Sequence, residues 1–264
     1  MRRGYLPPGV PVLSVITPVF NSGRYLEECL DSVARLDVDH EHVVIDGGSK
    51  DNTLQLLEGR RDPRLRWVSE PDRGQTHAVN KGLASARGSL LMWINGDDLA
   101  VPEGIRAAVH HFERTPATEV VYGGLEFMDA TGAVRRRYQP AEWSWHRYLL
   151  LGDYVPTPTF VFRAARAAAV GPLDERWVDA ADYDFYLRLT HAADVHRMPN
   201  PHVRFRYHAE SKTGSDVWTQ LDEAQEIRLR WSRRRRDRAL MVGFDKAKRR
   251  LLPVVTGGRW PKPF

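Results

Sequence analysis

Over the first hundred positions, short apolar runs alternate with stretches of helical spacing. Residues 12–17, 42–45, 64–69 and 90–94 are strand-length runs of mainly apolar or β-branched side chains, each closed by Pro, Gly, Asp or Asn within a few residues. Between them, residues 22–35, 51–57 and 76–86 read as helices, the first through Tyr25, Leu26, Leu30 and Val33. Strand and helix alternating at roughly 30-residue intervals predict a parallel sheet with right-handed crossovers and helices on both faces. In such sheets ligands collect outside the carboxyl ends of the strands. Asp46, Asp72 and the pair Asp97-Asp98 each fall just beyond such an end.

The rhythm changes after Pro102, which suits the first turn of a helix running to Arg114. Residues 120–122 and 125–128 flank Gly123-Gly124 and predict a hairpin. Thr131-Gly132 predicts a turn before a strand at 134–138, Phe160-Val161-Phe162 a further strand, and Val203 opens another. This half is therefore expected to be mixed. The aromatic stretch 143–154, with Trp143, Trp145 and Tyr148, suits either sugar stacking or the core, and the core is favoured.

Composition fits an α/β domain with a short appendage: 264 residues, 42% hydrophobic and 28% charged. No apolar run approaches the roughly 18–20 residues that span a bilayer, and the basic start carries no apolar signal segment. A cytoplasmic protein is expected, with peripheral contact to the inner membrane face as an option. The single cysteine, Cys29, excludes an internal disulfide and reads as a buried thiol. The net charge of +5 conceals an asymmetry: residues 228–264 hold 13 Lys and Arg against 2 acids, and the remainder 26 against 32.

Adjacent carboxylates at a strand end suit a hard divalent cation, which binds oxygen ligands and shares its shell with phosphates. The alternative is a helix cap, but Pro102 starts the next helix too far along for either Asp97 or Asp98 to occupy that position. Asp46, followed by Gly47-Gly48, suits contact with a nucleotide base or satisfaction of local backbone donors.

Taken together, Ser14-Val15-Ile16-Thr17-Pro18-Val19-Phe20-Asn21, Val43-Val44-Ile45-Asp46-Gly47-Gly48-Ser49-Lys50-Asp51-Asn52-Thr53, Glu70-Pro71-Asp72-Arg73-Gly74-Gln75, Asn80-Lys81-Gly82 and Asn95-Gly96-Asp97-Asp98 resemble glycosyltransferase family 2 in order and spacing. The resemblance extends to about residue 215. It implies the GT-A nucleotide-sugar fold, with a mostly parallel, Rossmann-like sheet, a nucleotide-binding half at about 10–100, an acceptor-binding half at about 101–215 and a basic amphipathic segment at 216–264. It also implies an inverting transfer from a nucleotide sugar to a glycan or lipid-linked acceptor in cell-surface polysaccharide or glycolipid synthesis, with Mg²⁺ or Mn²⁺. Thr17, Pro18 and Phe20 would line the nucleoside site, and Asp46 would contact the base, uridine being favoured. Asp72 and Asn80 would lie nearby. Gly96 stands where a first acid of the metal motif is possible, leaving Asp97 and Asp98, of which Asp98 is the favoured direct ligand. His208 would match a late metal or phosphate ligand, with Lys212 near the diphosphate; the alternative is a solvated loop histidine.

The base is sought in Ala180-Ala181-Asp182-Tyr183-Asp184-Phe185-Tyr186-Leu187-Arg188-Leu189. On a helix, Asp182 and Asp184 point about 200° apart, and Asp184 has the i,i+4 spacing for an ion pair with Arg188. That assigns Asp184 a structural role more readily than Asp182, and the family's acidic motif also places its base at Asp182, with Ala181 replacing the acid often found before it. His110-His111 sit on a predicted helix and read as structural.

A helix is predicted over 216–231, able to pack back on the domain, followed by Arg233-Arg234-Arg235-Arg236 and Lys246-Ala247-Lys248-Arg249-Arg250. Beside Trp231, Leu240, Met241, Phe244, Leu251 and Leu252, this charge suits an anionic membrane surface, with a solvated tail or nucleic acid as alternatives. Two other readings compete: a nucleotidyltransferase on sugar phosphates, whose glycine- and lysine-rich phosphate loop is not seen at 17–23, and a non-catalytic nucleic-acid-binding protein, which leaves the strand-end acids unexplained.

Overall fold

A computed structural model describes residues 10–152, 155–208, 217–232, 238–243 and 245–246. Strands β1 (Leu13–Val19), β2 (His40–Asp46), β3 (Leu65–Ser69) and β4 (Leu90–Trp93) alternate with helices α1 (Leu26–Ala34), α2 (Thr53–Gly59) and α3 (Gln75–Ser85). They pair in parallel in the spatial order β3-β2-β1-β4. β1, β2 and β4 are buried along their whole length, which is why they read as continuous apolar runs.

The second half contributes β5 (Leu99–Ala100), β6 (Val120–Met128), β7 (Val134–Tyr138), β8 (Phe160–Arg163) and β9 (Val195–Arg206), with helices α4 (Pro102–Arg114), α5 (Trp145–Leu151), α6 (Ala164–Val170), α7 (Ala181–Thr190) and α8 (Val217–Trp231). β8 joins antiparallel to β4, and β6, β9 and β5 complete one mixed sheet in the order β4-β8-β6-β9-β5, with β7 beside β6.

Both faces of the sheet are covered. On one side, Cys29, Val33, Ile105, Val109 and Phe112 of α1 and α4 pack against β1, β4, β6 and β9. Cys29 is fully buried, and burial pushes its thiol pKa upward. On the other side, the aromatic core joins Tyr122, Phe160 and Phe162 of the sheet to Tyr148, Tyr183 and Tyr186 of α5 and α7, with Trp143 and Trp145 packed against it. Its edge includes Ala224, Ile227 and Trp231 of α8, and also Met241. The aromatic segment is thus core at Trp143, Trp145 and Tyr148, while 153–154 lie outside the described residues. His111 stacks on His196 at 4.1 Å between centroids and meets Thr118 at 3.1 Å, a structural setting.

The hairpin predicted at Gly123-Gly124 does not exist; β6 runs straight through it. A Cβ on Gly123 would lie 2.5 Å from His202 Cδ2 and 2.6 Å from the Asn200 carbonyl oxygen, and one on Gly124 would lie 2.6 Å from Gln139 Oε1. The two glycines therefore admit a close crossing of β9, whose Pro199 and Pro201 cannot donate ladder bonds, and the β6–β9 register shifts here. Gly123→Ala is expected to destabilise the fold by about 1–3 kcal/mol, as overpacking does. A denaturant midpoint equal to wild type would contradict the close approach.

Candidate active site

The carboxyl ends of β1 to β4 meet in one place because neighbouring loops bond to each other. Gly47 N donates to Val19 O at 2.9 Å, Glu70 N to Asp46 O at 3.1 Å, Asn21 N to Ser49 Oγ at 2.7 Å and Lys50 N to Asn21 Oδ1 at 2.8 Å. The result is a rim built from residues 20–23, 46–51, 69–74 and 94–98.

Asp46 lies beneath this rim, fully buried. Its carboxylate accepts from Ser49 N at 3.1 Å, Gly48 N at 3.2 Å and Ser69 Oγ at 2.6 Å, and from the Ser49 hydroxyl. These donors all come from the loops it organises. Asp72 is only half-buried: one carboxylate oxygen accepts from Gly74 N at 2.7 Å, and the other borders Gly47, where a Cβ would lie 2.6 Å away. Of the two acids, Asp72 is the one presented at the rim. Thr17 is fully buried and meets His42 Nε2 at 2.9 Å, and Pro18 is buried beside it. Phe20, by contrast, is 63% exposed immediately beyond β1. Asn80 uses both ends of its amide on the Leu173 backbone, at 2.8 and 3.0 Å, and so clamps α3 to the second half.

Asp97 and Asp98 differ sharply in environment. Asp98 is fully buried; Oδ1 accepts the Arg206 backbone N–H at 2.9 Å and Oδ2 faces Asn95 Nδ2 at 3.4 Å. Burial, followed by the neighbouring charge of Asp97, pushes its pKa well above the usual carboxylate range. Asp97 is part-exposed, and its Oδ2 lies 3.0 Å from His208 Nε2. Asn95 fixes the turn, accepting at Oδ1 from Gln75 Nε2 at 2.8 Å and Trp93 Nε1 at 3.1 Å. An acid at Gly96 has no room, since its Cβ would sit 2.7 Å from Val19 Cγ1.

Beneath the turn is a residue the sequence did not reveal. Arg206 is buried to 1% exposure, donating to Asp97 O at 3.0 Å and pairing with Glu28 at 2.8 Å. Its guanidinium lies over the Tyr25 ring at 4.5 Å, and that ring in turn faces His208 at 4.8 Å. Strand alternation puts Arg206 on the same face as Arg204, which bonds Glu126, so nothing local distinguished it.

Among the described residues, no group of three or more His, Cys, Asp or Glu is arranged to hold a metal. The pair Asp97–His208 does fit two positions of a shell: adjacent ligands about 2.1 Å from a six-coordinate cation are about 3 Å apart. A nucleotide diphosphate is a natural source of the other oxygens. Lys212 lies outside the described residues.

Asp182 sits in the first turn of α7, accepting from Thr157 Oγ1 at 2.6 Å and Tyr183 N at 2.8 Å. Asp184 pairs with Arg188 at 2.8 Å, as the spacing predicts. Thr157 comes from a Pro-Thr-Pro-Thr turn distant in the chain, so this contact to Asp182 had no local sequence signal.

The family model for Glycosyl transferase family 2 matches residues 14–171. The chain belongs to glycosyltransferase family 2. An uncharacterized glycosyltransferase from Mycobacterium tuberculosis is 33% identical over 182 residues, covering 67% of this chain and 68% of its own length. A Rickettsia felis relative is 26% identical over 84% of this chain, which spans 38% of that protein. Residues 1–349 of S. aureus TarS in complex with UDP-GlcNAc superimpose with a TM-score of 0.68 at 18% identity, over 92% of this chain and 75% of that one. The mannosyltransferase PcManGT from Pyrobaculum calidifontis, in complex with GDP-Man and Mn²⁺, gives 0.63 at 19% identity over 98% and 77%. The fold is therefore the GT-A fold.

Proposed function

We propose that this family 2 member is a metal-dependent, inverting transferase that moves a sugar from a nucleotide sugar, UDP-linked in the first instance, to a hydroxyl of a glycan or lipid-linked acceptor. The observation that carries the reading is the Asp97–His208 pair at the carboxyl edge of the sheet, 3.0 Å apart with Asp97 part-exposed, beside a rim that offers Phe20 and Asp72.

In this reading Asp97 and His208 hold Mn²⁺ or Mg²⁺, and Asp98, braced by Arg206, shapes the turn instead of reaching the cation. The carboxylate suits either ion, and the imidazole beside it favours the transition metal Mn²⁺ over Mg²⁺. When bound, the cation offsets the charge of the departing diphosphate. Phe20 stacks against the base and Asp72 accepts from it, while buried Asp46 orders both loops. Asp182 takes the acceptor proton: the hydroxyl oxygen attacks the anomeric carbon, the bond to the diphosphate breaks and the proton passes to the carboxylate. The Thr157 and Tyr183 donors fix the position of that carboxylate.

No helix among the described residues is long and apolar enough to cross a membrane. Attachment to an anionic surface through the basic segment belongs to the proposal, with Leu240, 64% exposed, as one apolar contact. Met241 and Trp231 face the core instead, and Arg233 to Arg236 lie outside the described residues.

The test is turnover of UDP-GlcNAc and GDP-mannose by the full chain with Mn²⁺, followed as nucleoside diphosphate release with glycan and lipid-linked acceptors. Acceptor-stimulated release from one donor supports the reading; no release from a wider donor panel would overturn it.

A further inference from the structure

We propose that Glu223, on α8 and beyond the residues that the family model matches, is a positioning residue for Asp182. Its Oε1 accepts from Val178 N at 2.8 Å, and its Oε2 accepts from Asp179 N at 2.8 Å and Ala180 N at 2.9 Å. These three consecutive donors lead directly into α7, whose N-cap, Ala180, supplies no side-chain cap. A carboxylate from a different element thus holds the chain as it enters the helix, at the end where negative charge is favoured. Asp182 follows two residues later, so the path of 178–180 sets where its carboxylate starts.

In this segment Glu175, Arg176 and Val178 face solvent while Trp177 and Ala180 are buried in the aromatic core, and the Glu223 contacts fix the backbone between those two anchors. Glu223 itself is firmly placed. Leu221 and Ile227 of α8 are buried, Arg228 is buried against Asp245, and Arg230 lies over the Trp177 ring at 4.7 Å. Asp182 is thereby fixed from two directions, by Thr157 on one side and by Glu223 through the backbone on the other. The inference makes α8 part of the catalytic apparatus, not a mere appendage, and it rests on the reading of Asp182 as the base.

The experiment compares Glu223→Ala, Glu223→Gln, Glu226→Ala and Asp182→Asn in the full chain. It measures kcat and KM for the donor turned over above, and donor affinity with Mn²⁺ by calorimetry. Glu226 is an exposed residue of the same helix, paired only at i,i+4 with Arg230 among the contacts seen, and serves as the control. Glu223→Ala is expected to lower kcat by about 10- to 100-fold, the scale of a small misplacement of a reacting group, with KM and affinity within twofold of wild type. Glu223→Gln, which keeps an acceptor oxygen, is expected to recover part of the loss, and Glu226→Ala to match wild type. If Glu223→Ala fails to fold, an intermediate kcat in Glu223→Gln carries the same conclusion. Wild-type kcat in both Glu223 variants, or equal losses of kcat and donor affinity, would overturn the inference and leave Asp182 in place. Near-normal turnover in Asp182→Asn would instead remove the base assignment, and this inference with it.

Discussion

Asp182→Asn is expected to lower turnover by between about 10²- and 10⁴-fold, the range that a positioned general base contributes, while leaving donor affinity within a few-fold of wild type. The amide keeps the size of the carboxylate and one acceptor oxygen, which takes the Tyr183 N–H while the amide NH2 donates to the Thr157 hydroxyl, a group able to accept as well as donate, so the local structure is retained. What it loses is the ability to take a proton. Paired measurements of kcat and of donor Kd separate the two effects. Asp184→Asn provides the comparison: its carboxylate pairs with Arg188, which also donates to the Val170 carbonyl at 2.7 Å, so the change affects packing of α6 against α7 and not the reaction. A near-normal kcat for Asp182→Asn would move the base elsewhere.

The second large effect distinguishes the two adjacent acids. Asp97→Ala is expected to abolish the Mn²⁺-dependent part of donor affinity with a small change in melting temperature, because the Asp97 side chain is part-exposed and water can take its place beside the His208 imidazole. Asp98→Ala is expected to do the reverse in stability, costing about 1–3 kcal/mol, because the buried Arg206 N–H and the Asn95 amide lose their acceptor. For a chain of this size that is a fall of several degrees in Tm. Calorimetry with and without Mn²⁺, alongside thermal melts, reads both quantities. Should Asp98→Ala lose the metal response at unchanged Tm, the roles of the two acids are exchanged.

The parallel half was legible because β1, β2 and β4 are buried along their whole length and their apolar runs are closed by Pro, Asp or Asn, so the runs at 12–17, 42–45 and 90–94 point straight to the rim. Asp184 was equally legible, since its partner is four residues away. What escaped depended on partners far along the chain. A Gly-Gly pair serves a turn or a close approach equally well, and only the crossing of β9 near His202, some 80 residues later, decides for Gly123. Asp46 and Asp72 look alike as strand-end acids until Ser49 and Ser69 occupy the first. Asn80 sits in a family motif, yet its amide is directed to Leu173, over 90 residues away. Arg206 and Thr157 bond to the Asp98 and Asp182 carboxylates and Glu223 to backbone N–H groups, each on a distant element, which no local pattern records.

The central claim is that the rim binds a nucleotide sugar through a cation held by Asp97 and His208. It is tested most directly by titrating UDP-GlcNAc, then GDP-mannose and other nucleotide sugars, into the full wild-type chain by calorimetry, once with Mn²⁺ and once with EDTA. Saturable binding of one donor with Mn²⁺ that weakens at least tenfold in EDTA is the expected result. Equal affinity in EDTA would contradict the metal's role, and failure of every nucleotide sugar to bind would contradict the account as a whole.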